Sequence, residues 1–366
     1  MSEHIKSKET DYNQFIGREG LVNRIYARIG AGRPQSVSIV GDVKIGKSSL
    51  LWYLAHQRTK EKMLHHPQDY IYIYMSCRQI KPLTLTAFTN NLYELTRPYA
   101  TVDTDDDDKH GLRYNYFKRL VESHHKENVK IILFLDDFNL VTQNQAFPLE
   151  FFSFLRSLAN NYNLAYVTTS YEDLQKLCVS KDIEESPFFN IFTNMSLRGF
   201  EEQEVRRFFE IKLPEMNGSS SATHGYLRTL VGNTPYPLQV TIQKLKEFEQ
   251  NCAAWNQSHR EEFESLVFQE LSSYYEQIWN SMESIHQTIL SRLALGGKIP
   301  NAQEYLVRDL SKRDYVRISN GKREIASALF KKFIVNTARS EGPSDLEGNI
   351  FSKLWATIKT GFSRFL

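Results

Sequence analysis

The sequence is poor in cysteine and has no long apolar run, and each deficit excludes a class of protein. Its three cysteines, Cys77, Cys178 and Cys252, lie far apart and form no CxxC pair. Three isolated cysteines argue against a disulfide framework or a cysteine-based zinc site, so we expect a reducing, cytoplasmic location. No stretch approaches the roughly 18 to 20 apolar residues of a membrane span. The polar N-terminus lacks the apolar core of a secretory signal.

A strong charge of one sign is also missing. The 366 residues include 45 Lys and Arg against 43 Asp and Glu, which gives a formal net charge of +2. The total charge therefore does not demand a nucleic-acid partner, although residues 295–366 carry a net +6. The composition, 41% hydrophobic and 24% charged, is that of a globular protein, and the length predicts two or three domains.

Strand-like and helix-like segments alternate over residues 15–200. Four buried strands are predicted, at Ser36–Val40, Ile71–Ser76, Lys130–Leu135 and Leu164–Thr169. The segments between them have apolar residues at helical spacing. This alternation predicts βαβ units and a parallel sheet covered by helices on both faces. From Glu201 the helical period dominates, and Asn320-Gly321 between two short apolar stretches predicts a β-hairpin.

The segment GDVKIGKS, residues 41–48, fits the pattern GxxxxGK[ST] and lies between a predicted strand and a predicted helix. In that setting glycines let backbone N–H groups wrap around a phosphate chain, and the helix adds its positive N-terminal end. We expect Lys47 to contact the β- and γ-phosphates and the Ser48 hydroxyl to bind Mg²⁺. The predicted nucleotide contacts are Gly41, Asp42, Val43, Lys44, Ile45, Gly46, Lys47, Ser48 and Ser49.

Polar side chains follow the next two buried strands of this region. Asp136 and Asp137 end the run IILFL and are expected to organise Mg²⁺ and to polarise the attacking water, respectively. Asp137 stands where many such enzymes have the longer Glu, which predicts slow hydrolysis. Thr169 and Ser170 end the following strand, at the position where a polar side chain senses the γ-phosphate. The run Asp105–Asp108 is expected to be a solvated loop.

Several stretches in order resemble the STAND class of AAA+-related P-loop ATPases, in particular its archaeal and bacterial branch. The phosphate loop and the acidic strand lie at the expected separation. The other stretches are FIGRE at 15–19, FFSFLRSL at 151–158, SPFFNIF at 186–192, GNTPYPLQ at 232–239, and the region 315–333 with SALFKKF at its end. The resemblance covers roughly residues 15–335.

The resemblance implies an α/β fold, in which a P-loop NTPase domain with a parallel sheet flanked by helices precedes a helical lid and a winged-helix domain. The implied bounds are a tail at 1–14, the nucleotide domain at 15–200, the lid at 201–270, the winged helix at 271–338, and a linker with an amphipathic helix at 339–366. Gly17 and Arg18 would lie on the adenine side, and Pro235 would pack near the base. Arg156 or Arg18 would contact a γ-phosphate in cis or in trans.

The resemblance also implies that the protein is an ATPase used as a switch, closed with ADP and open with ATP. In the open state it would self-associate and drive an effector in response to a protein trigger, for instance in prokaryotic defence. Many relatives carry Arg where this chain has Ser170, so sensing of the γ-phosphate would differ here or come from another subunit. The rival interpretation is a DNA-associated AAA+ ATPase, similar to origin-recognition initiators or transposition regulators, which would bind DNA through the winged helix.

The C-terminal segment NIFSKLWATIKTGFSRFL, residues 349–366, places apolar residues near one helical face and contains no acidic residue. Three interpretations remain open. The helix packs on the body of the protein, docks on a partner or neighbouring subunit, or lies on a membrane surface, since basic residues beside Trp and Phe are typical of interfacial helices.

Overall fold

The computed structural model describes residues 12–13, 15–100, 113–213, 221–248, 256–319 and 321–340. The predictions for the tail at 1–11, the run Asp105–Asp108 and the amphipathic segment 349–366 lie outside these residues. The chain divides into two compact units, Met1–Leu197 and Arg198–Leu366. Within the described residues, no helix is both long enough and apolar enough to cross a membrane.

The first unit is built on five parallel strands. They are β1 (Ser36–Val40), β2 (Tyr70–Ser76), β3 (Lys130–Asp136), β4 (Leu164–Ser170) and β5 (Phe192–Ser196), in the spatial order β2-β3-β4-β1-β5. The α-helices are α1 (Glu19–Ile29), α2 (Lys47–Ala55), α3 (Gln57–Met63), α4 (Leu85–Thr96), α5 (Tyr114–Lys126), α6 (Asn139–Thr142), α7 (Leu149–Asn161) and α8 (Lys181–Glu184). Short 3₁₀ turns occupy Pro67–Asp69, Cys77–Gln79, Arg97–Tyr99, Leu174–Leu177 and Pro187–Ile191.

The sheet separates two hydrophobic cores because successive side chains of each strand point to opposite faces. Ile132 and Phe134 of β3 pack in one core with residues of α1 and α2. Ile131 and Leu133 pack in the other core with residues of α4, α5 and α7. The sheet is thus covered on both faces, and the carboxyl ends of β1, β3 and β4 meet at one edge.

The second unit contains the remaining helices and one hairpin. The helices are α9 (Glu202–Lys212), α10 (Ser221–Val231), α11 (Pro235–Glu247), α12 (Gln257–Asn280), α13 (Ser284–Ala294), α14 (Glu304–Lys312) and α15 (Ala328–Ser340), with a 3₁₀ turn at Asn301–Gln303. The antiparallel strands β6 (Val316–Ser319) and β7 (Lys322–Ile325) form the hairpin, with Val316 opposite Ile325. Buried Ser327 ties the start of α15 to α10, since its hydroxyl donates to the Leu230 carbonyl at 3.0 Å.

The parallel sheet and the helical second part predicted from the sequence are confirmed, with differences in detail. The strand β5 was not predicted, because it lies at the sheet edge and buries only Met195. Helix α2 begins at Lys47, inside the segment predicted as the loop, so Lys47 and Ser48 belong to its first turn. Helix α12 runs without interruption through residue 270, so the boundary predicted there falls inside a helix.

Candidate phosphate-binding site

The loop between β1 and α2 has the backbone conformation that its glycines permit. A Cβ atom added to Gly41 would lie 2.7 Å from the carbonyl oxygen of Leu197, closer than real Cβ contacts come. Gly46 has a φ of 100°, in the left-handed region where side chains are strained, and it caps the start of α2. The first N–H groups of α2 have no partner within the helix and are therefore available to a phosphate.

The side chain of Lys47 folds back over this loop. Its Nζ donates to the carbonyl oxygens of Gly41 at 2.7 Å and of Asp42 at 2.9 Å. Burial lowers the pKa of Lys47 below its ordinary value, and the nearby carboxylates of Asp137, Asp42 and Asp136 oppose this shift only in part. The ammonium group is thus held, partly desolvated, at the N-terminal end of α2, where it can pair with a phosphate anion.

Asp136 ends β3 and is held by hydroxyl groups from both neighbouring strands. Thr169 of β4 donates to Asp136 Oδ1 at 2.6 Å, and Tyr74 of β2 donates to Asp136 Oδ2 at 3.2 Å. Asp136 is only 4% exposed. Burial and the adjacent Asp136 raise the pKa of Tyr74, so its hydroxyl stays protonated and remains a donor. The carboxylate is therefore fixed in one orientation at the carboxyl edge of the sheet.

The neighbouring residue Asp137 turns away from the strand. Its backbone has a φ of 53°, and its N–H donates to the hydroxyl oxygen of Thr169 at 2.8 Å. Its Oδ2 accepts a hydrogen bond from Arg78 Nε at 2.7 Å, within an ion pair to the turn that follows β2. The hydrogen bond to the Asp137 carboxylate raises the pKa of Arg78. Asp137 is therefore held by Arg78, whose side chain is itself mostly exposed.

The two predicted sensor residues at the end of β4 have different surroundings. Thr169 joins the backbone of Asp137 to the carboxylate of Asp136, so it lies within the acidic part of the site. The hydroxyl of Ser170 instead donates to the Glu172 carbonyl at 2.5 Å, inside its own turn. The Ser170 carbonyl accepts from the Gly41 N–H at 3.2 Å and anchors the start of the phosphate loop. In this conformation Ser170 positions the loop through its backbone.

The segment FIGRE packs beside the helix that carries Lys47. The ring of Phe15 stacks on Tyr53 of α2, with centroids 4.0 Å apart and planes 12° from parallel. Gly17 and Arg18 both have positive φ, 73° and 69°. Arg18 caps α1, whose residue Val22 donates its N–H to the Arg18 carbonyl at 2.8 Å. Phe15, two residues before Gly17, thus packs on the phosphate-loop helix, and contacts of Gly17 and Arg18 with a nucleotide stay predictions.

Two predicted contacts lie elsewhere. Arg156 of α7 lies with the first residues of β1, β4 and β5, at the sheet edge opposite the phosphate loop. Parallel strands separate this edge from the phosphate loop of the same chain, and contact of Arg156 with a γ-phosphate stays a prediction. Pro235 begins α11 in the second unit, and its packing near the base stays a prediction.

Comparisons with known families decide the class of the protein. A family model described as Novel STAND NTPase 2 matches residues 31–292, more than two thirds of the chain. The chain belongs to this STAND NTPase family. The matched range includes the phosphate loop, the acidic strand β3 and the helices of the second unit as far as α13. The predicted membership of the STAND class is thereby confirmed.

Solved structures show the same fold for this STAND NTPase at low sequence identity. The Walker-type ATPase PABY2304 of Pyrococcus abyssi is 15% identical, with a TM-score of 0.57, over 87% of this chain and 96% of that one. The Aeropyrum pernix ORC2 protein, solved with ADPNP and ADP, is 14% identical, with a TM-score of 0.53, over 88% and 94% of the two chains. A search of curated proteins found no significant match.

Sequence reasoning missed two side chains of the site in this STAND NTPase. The sequence patterns place Tyr74 only within a predicted strand, and none of them includes Arg78. The alternation of tyrosines in YIYIYMS puts Tyr70, Tyr72 and Tyr74 on one face of β2, which is a signal for a hydroxyl near the sheet edge. No comparable signal points to Arg78, because its role depends on the pairing of β2 with β3.

Proposed function

We propose that this STAND NTPase binds ATP at residues 41–49 and hydrolyses it slowly, as the basis of a nucleotide-dependent switch. The observation that carries the proposal is the convergence of three parts at one sheet edge. Lys47 lies at the start of α2, Asp136 ends β3, and Thr169 of β4 links Asp136 to Asp137. A cation beside a pair of oriented carboxylates is the arrangement that a metal-bound triphosphate needs.

The donor set of the site fits a hard divalent cation. The hydroxyl of Ser48 is exposed in the first turn of α2, and Asp136 offers carboxylate oxygens, the ligand type that Mg²⁺ prefers. Since both oxygens of Asp136 already accept hydrogen bonds, we infer that Asp136 acts through a water. Bound Mg²⁺ would supply charge neutralisation between the phosphates.

The surroundings of Asp137 support the proposal of slow turnover. To orient an attacking water, its carboxylate has to be available to that water. Here it is 17% exposed and bonded to Arg78 at 2.7 Å. An Asp side chain also reaches less far than the Glu that many related enzymes carry. We infer that a conformational change around Arg78 precedes hydrolysis, which suits a switch better than a metabolic catalyst.

The switch itself requires that ATP and ADP stabilise two different arrangements of the chain. We propose that ADP favours a closed form and ATP an open form, which self-associates and acts on an effector, with prokaryotic defence as one setting. Gly17, Arg18 and Pro235 would contact the adenosine part. This part of the proposal rests on membership of the STAND family and on the two-unit organisation of the chain.

The test of the nucleotide site is the affinity for a fluorescent ATP analogue, measured by anisotropy with and without Mg²⁺. Loss of a charge-assisted phosphate contact costs about 1.5–3 kcal/mol, so Lys47→Ala should weaken binding by roughly 10- to 150-fold. The matched control is Lys62→Ala, on the exposed face of α3. Equal affinities for both variants would refute the site assignment. Sedimentation velocity with ADP and with a slowly hydrolysed ATP analogue then tests self-association.

Binding of duplex DNA is a second candidate function, favoured by exposed cations of the second unit. Arg308 and Lys312 share the exposed face of α14, and Arg317 and Lys322 are exposed on the hairpin β6–β7. Tyr305, 63% exposed, lies on the same helix one turn before Arg308. Cations at this spacing can contact successive phosphates.

Anisotropy of a labelled duplex at two salt concentrations, with ADP or an ATP analogue, tests this candidate. DNA binding should fall steeply with salt, and replacing Arg308 and Lys312 by alanine should reduce the salt slope by about two. Absence of binding in both nucleotide states would exclude the DNA candidate and leave the protein-triggered switch.

A further inference from the structure

The first unit carries a second concave surface, at the amino edge of the sheet. A groove of about 530 Å³ is bounded by the first residues of three strands, Ser36 of β1, Leu164 of β4 and Phe192 of β5. Five to seven residues of parallel strand, roughly 17–23 Å, separate this edge from the carboxyl edge with its phosphate loop. The groove is therefore distinct from the nucleotide site.

The charge of the groove has one sign. Arg28, Arg33 and Arg156 line it, and none of its lining residues is an Asp or a Glu. A hollow lined by charges of one sign concentrates the electrostatic potential and raises the local concentration of oppositely charged ligands. Because the net charge of the whole chain is only +2, this clustering is a local feature and not a consequence of composition.

Two of the three guanidinium groups are fixed in place by hydrogen bonds. Arg33 donates to the carbonyl oxygen of Ala159 at 3.1 Å and to that of Asn160, at the C-terminal end of α7. Arg28 donates to Gln35 Oε1 at 2.6 Å. Arg156 is exposed, and among the described residues its side chain forms no hydrogen bond or ion pair. One guanidinium is thus available for a ligand beside two that are held.

The remaining lining indicates the class of ligand. A planar guanidinium matches carboxylate or phosphate oxygens in pairs. Amide side chains of Gln35, Asn160 and Asn190 can bond peptide groups, and Pro34, Pro187 and Ile191 offer apolar contact. A concave hollow within the roughly 300–1,000 Å³ range of small-ligand pockets suits a short peptide and does not match the convex surface of a nucleic-acid duplex.

We propose that this groove binds an acidic segment of a partner protein, in which a carboxylate pairs with Arg156 and a neighbouring apolar side chain packs on the prolines. The segment recognised is a short run containing two or more Asp or Glu beside an apolar residue. This surface lies apart from the nucleotide site, so the proposal stands independently of nucleotide binding.

The test begins with the intact chain and a displayed library of random 12-residue peptides. We expect selection to enrich acidic peptides with an adjacent apolar residue. For one enriched peptide, labelled with fluorescein, Arg156→Glu should lower the affinity at least 10-fold, and Arg156→Lys should lower it less, because the charge remains and the planar fork is lost. The matched control is Arg24→Glu, on the exposed face of α1 and outside the groove, which should bind as the unchanged chain does.

Further experiments distinguish the proposed acidic segment from other ligands of the groove. Lys47→Ala should keep its affinity for the peptide although its affinity for ATP falls. Failure of the groove proposal is therefore distinguishable from failure of the nucleotide-site proposal. The proposal is overturned if selection enriches no acidic peptides, if Arg24→Glu and Arg156→Glu weaken binding equally, or if a DNA duplex displaces the peptide. Replacing Asp105–Asp108 by asparagines should leave the affinity unchanged, and a gain would assign the groove to the chain's own acidic run instead.

Discussion

The hydroxyl of Thr169 makes two of the bonds that join the acidic residues of the site, so its removal is a sharp test of the structure. It donates to Asp136 Oδ1 at 2.6 Å and accepts from the Asp137 N–H at 2.8 Å. Thr169→Val removes both bonds and keeps nearly the same volume at a position that is 0% exposed. Thr169→Ser retains the hydroxyl and loses only a methyl group.

The magnitude follows from the two bonds. A hydrogen bond to a charged group contributes about 1.5–3 kcal/mol, and a buried N–H left without an acceptor costs about 1–3 kcal/mol. We therefore expect Thr169→Val to lower the free energy of unfolding of the first unit by about 3 kcal/mol. Thr169→Ser should lower it by about 1 kcal/mol, the approximate value of one buried methyl group.

The adjacent residue supplies a matched control. Thr168 is also 0% exposed on β4, but among the described residues its hydroxyl has no hydrogen-bond partner. Thr168→Val therefore removes a buried polar atom that makes no bond, and we expect it to be neutral or stabilising by up to about 1 kcal/mol. The same substitution at two neighbouring positions should thus change stability in opposite directions.

The assay is a urea titration in which hydrogen exchange of peptides from β3 and β4 reports the stability of the first unit. With a slope of about 1–3 kcal/mol per molar urea, Thr169→Val should lower the midpoint by roughly 1–3 M. ATP hydrolysis by the same variant should fall, because Asp136 loses one orienting bond. Equal midpoints for Thr168→Val and Thr169→Val would refute the hydrogen-bond network described here.

Three further predictions concern the same edge of the sheet. Gly41→Ala should destabilise the first unit and weaken ATP binding, because the added Cβ would lie 2.7 Å from the Leu197 carbonyl oxygen. Thermal unfolding measures the loss of stability, and anisotropy measures the loss of ATP affinity. An unchanged melting temperature would contradict the close contact. Arg78→Ala should raise kcat for ATP hydrolysis several-fold with little change in KM, because the substitution frees the Asp137 carboxylate from its ion pair. A lower kcat would show instead that Arg78 acts on the substrate. Burial lowers the pKa of Lys47. Between this lowered pKa and the ordinary pKa of lysine, the unfolded chain binds more protons than the folded chain, so the free energy of unfolding rises with pH. Lys47→Met should flatten this rise in unfolding curves measured at a series of alkaline pH values, and an unchanged slope would count against the pKa shift.

The sequence by itself determined the parts of the protein that depend on local pattern. The strand Ser36–Val40 is found with the predicted bounds because a short run rich in Val and Ile between turn residues has few alternatives. The phosphate loop could be predicted because binding of a phosphate chain requires particular residues at fixed spacing, and the structure places this loop between a strand and a helix as expected. Asp136 and Asp137 could be assigned to the same site as that loop. The loop and the two aspartates each come at the carboxyl end of a buried strand, and parallel strands bring these ends to one edge of the sheet.

Only the tertiary structure decided which side chains meet across strands and which edge each helix end reaches. Thr169 and Tyr74 hold Asp136 because β3 lies between β4 and β2, an order that no local pattern encodes. Arg78 meets Asp137 across 59 residues of sequence. Arg156, on a helix whose sequence resembles a family motif, lies at the sheet edge opposite residues 41–48. Helical periodicity predicts the face that a residue occupies, whereas the edge it reaches depends on where the helix packs along the sheet.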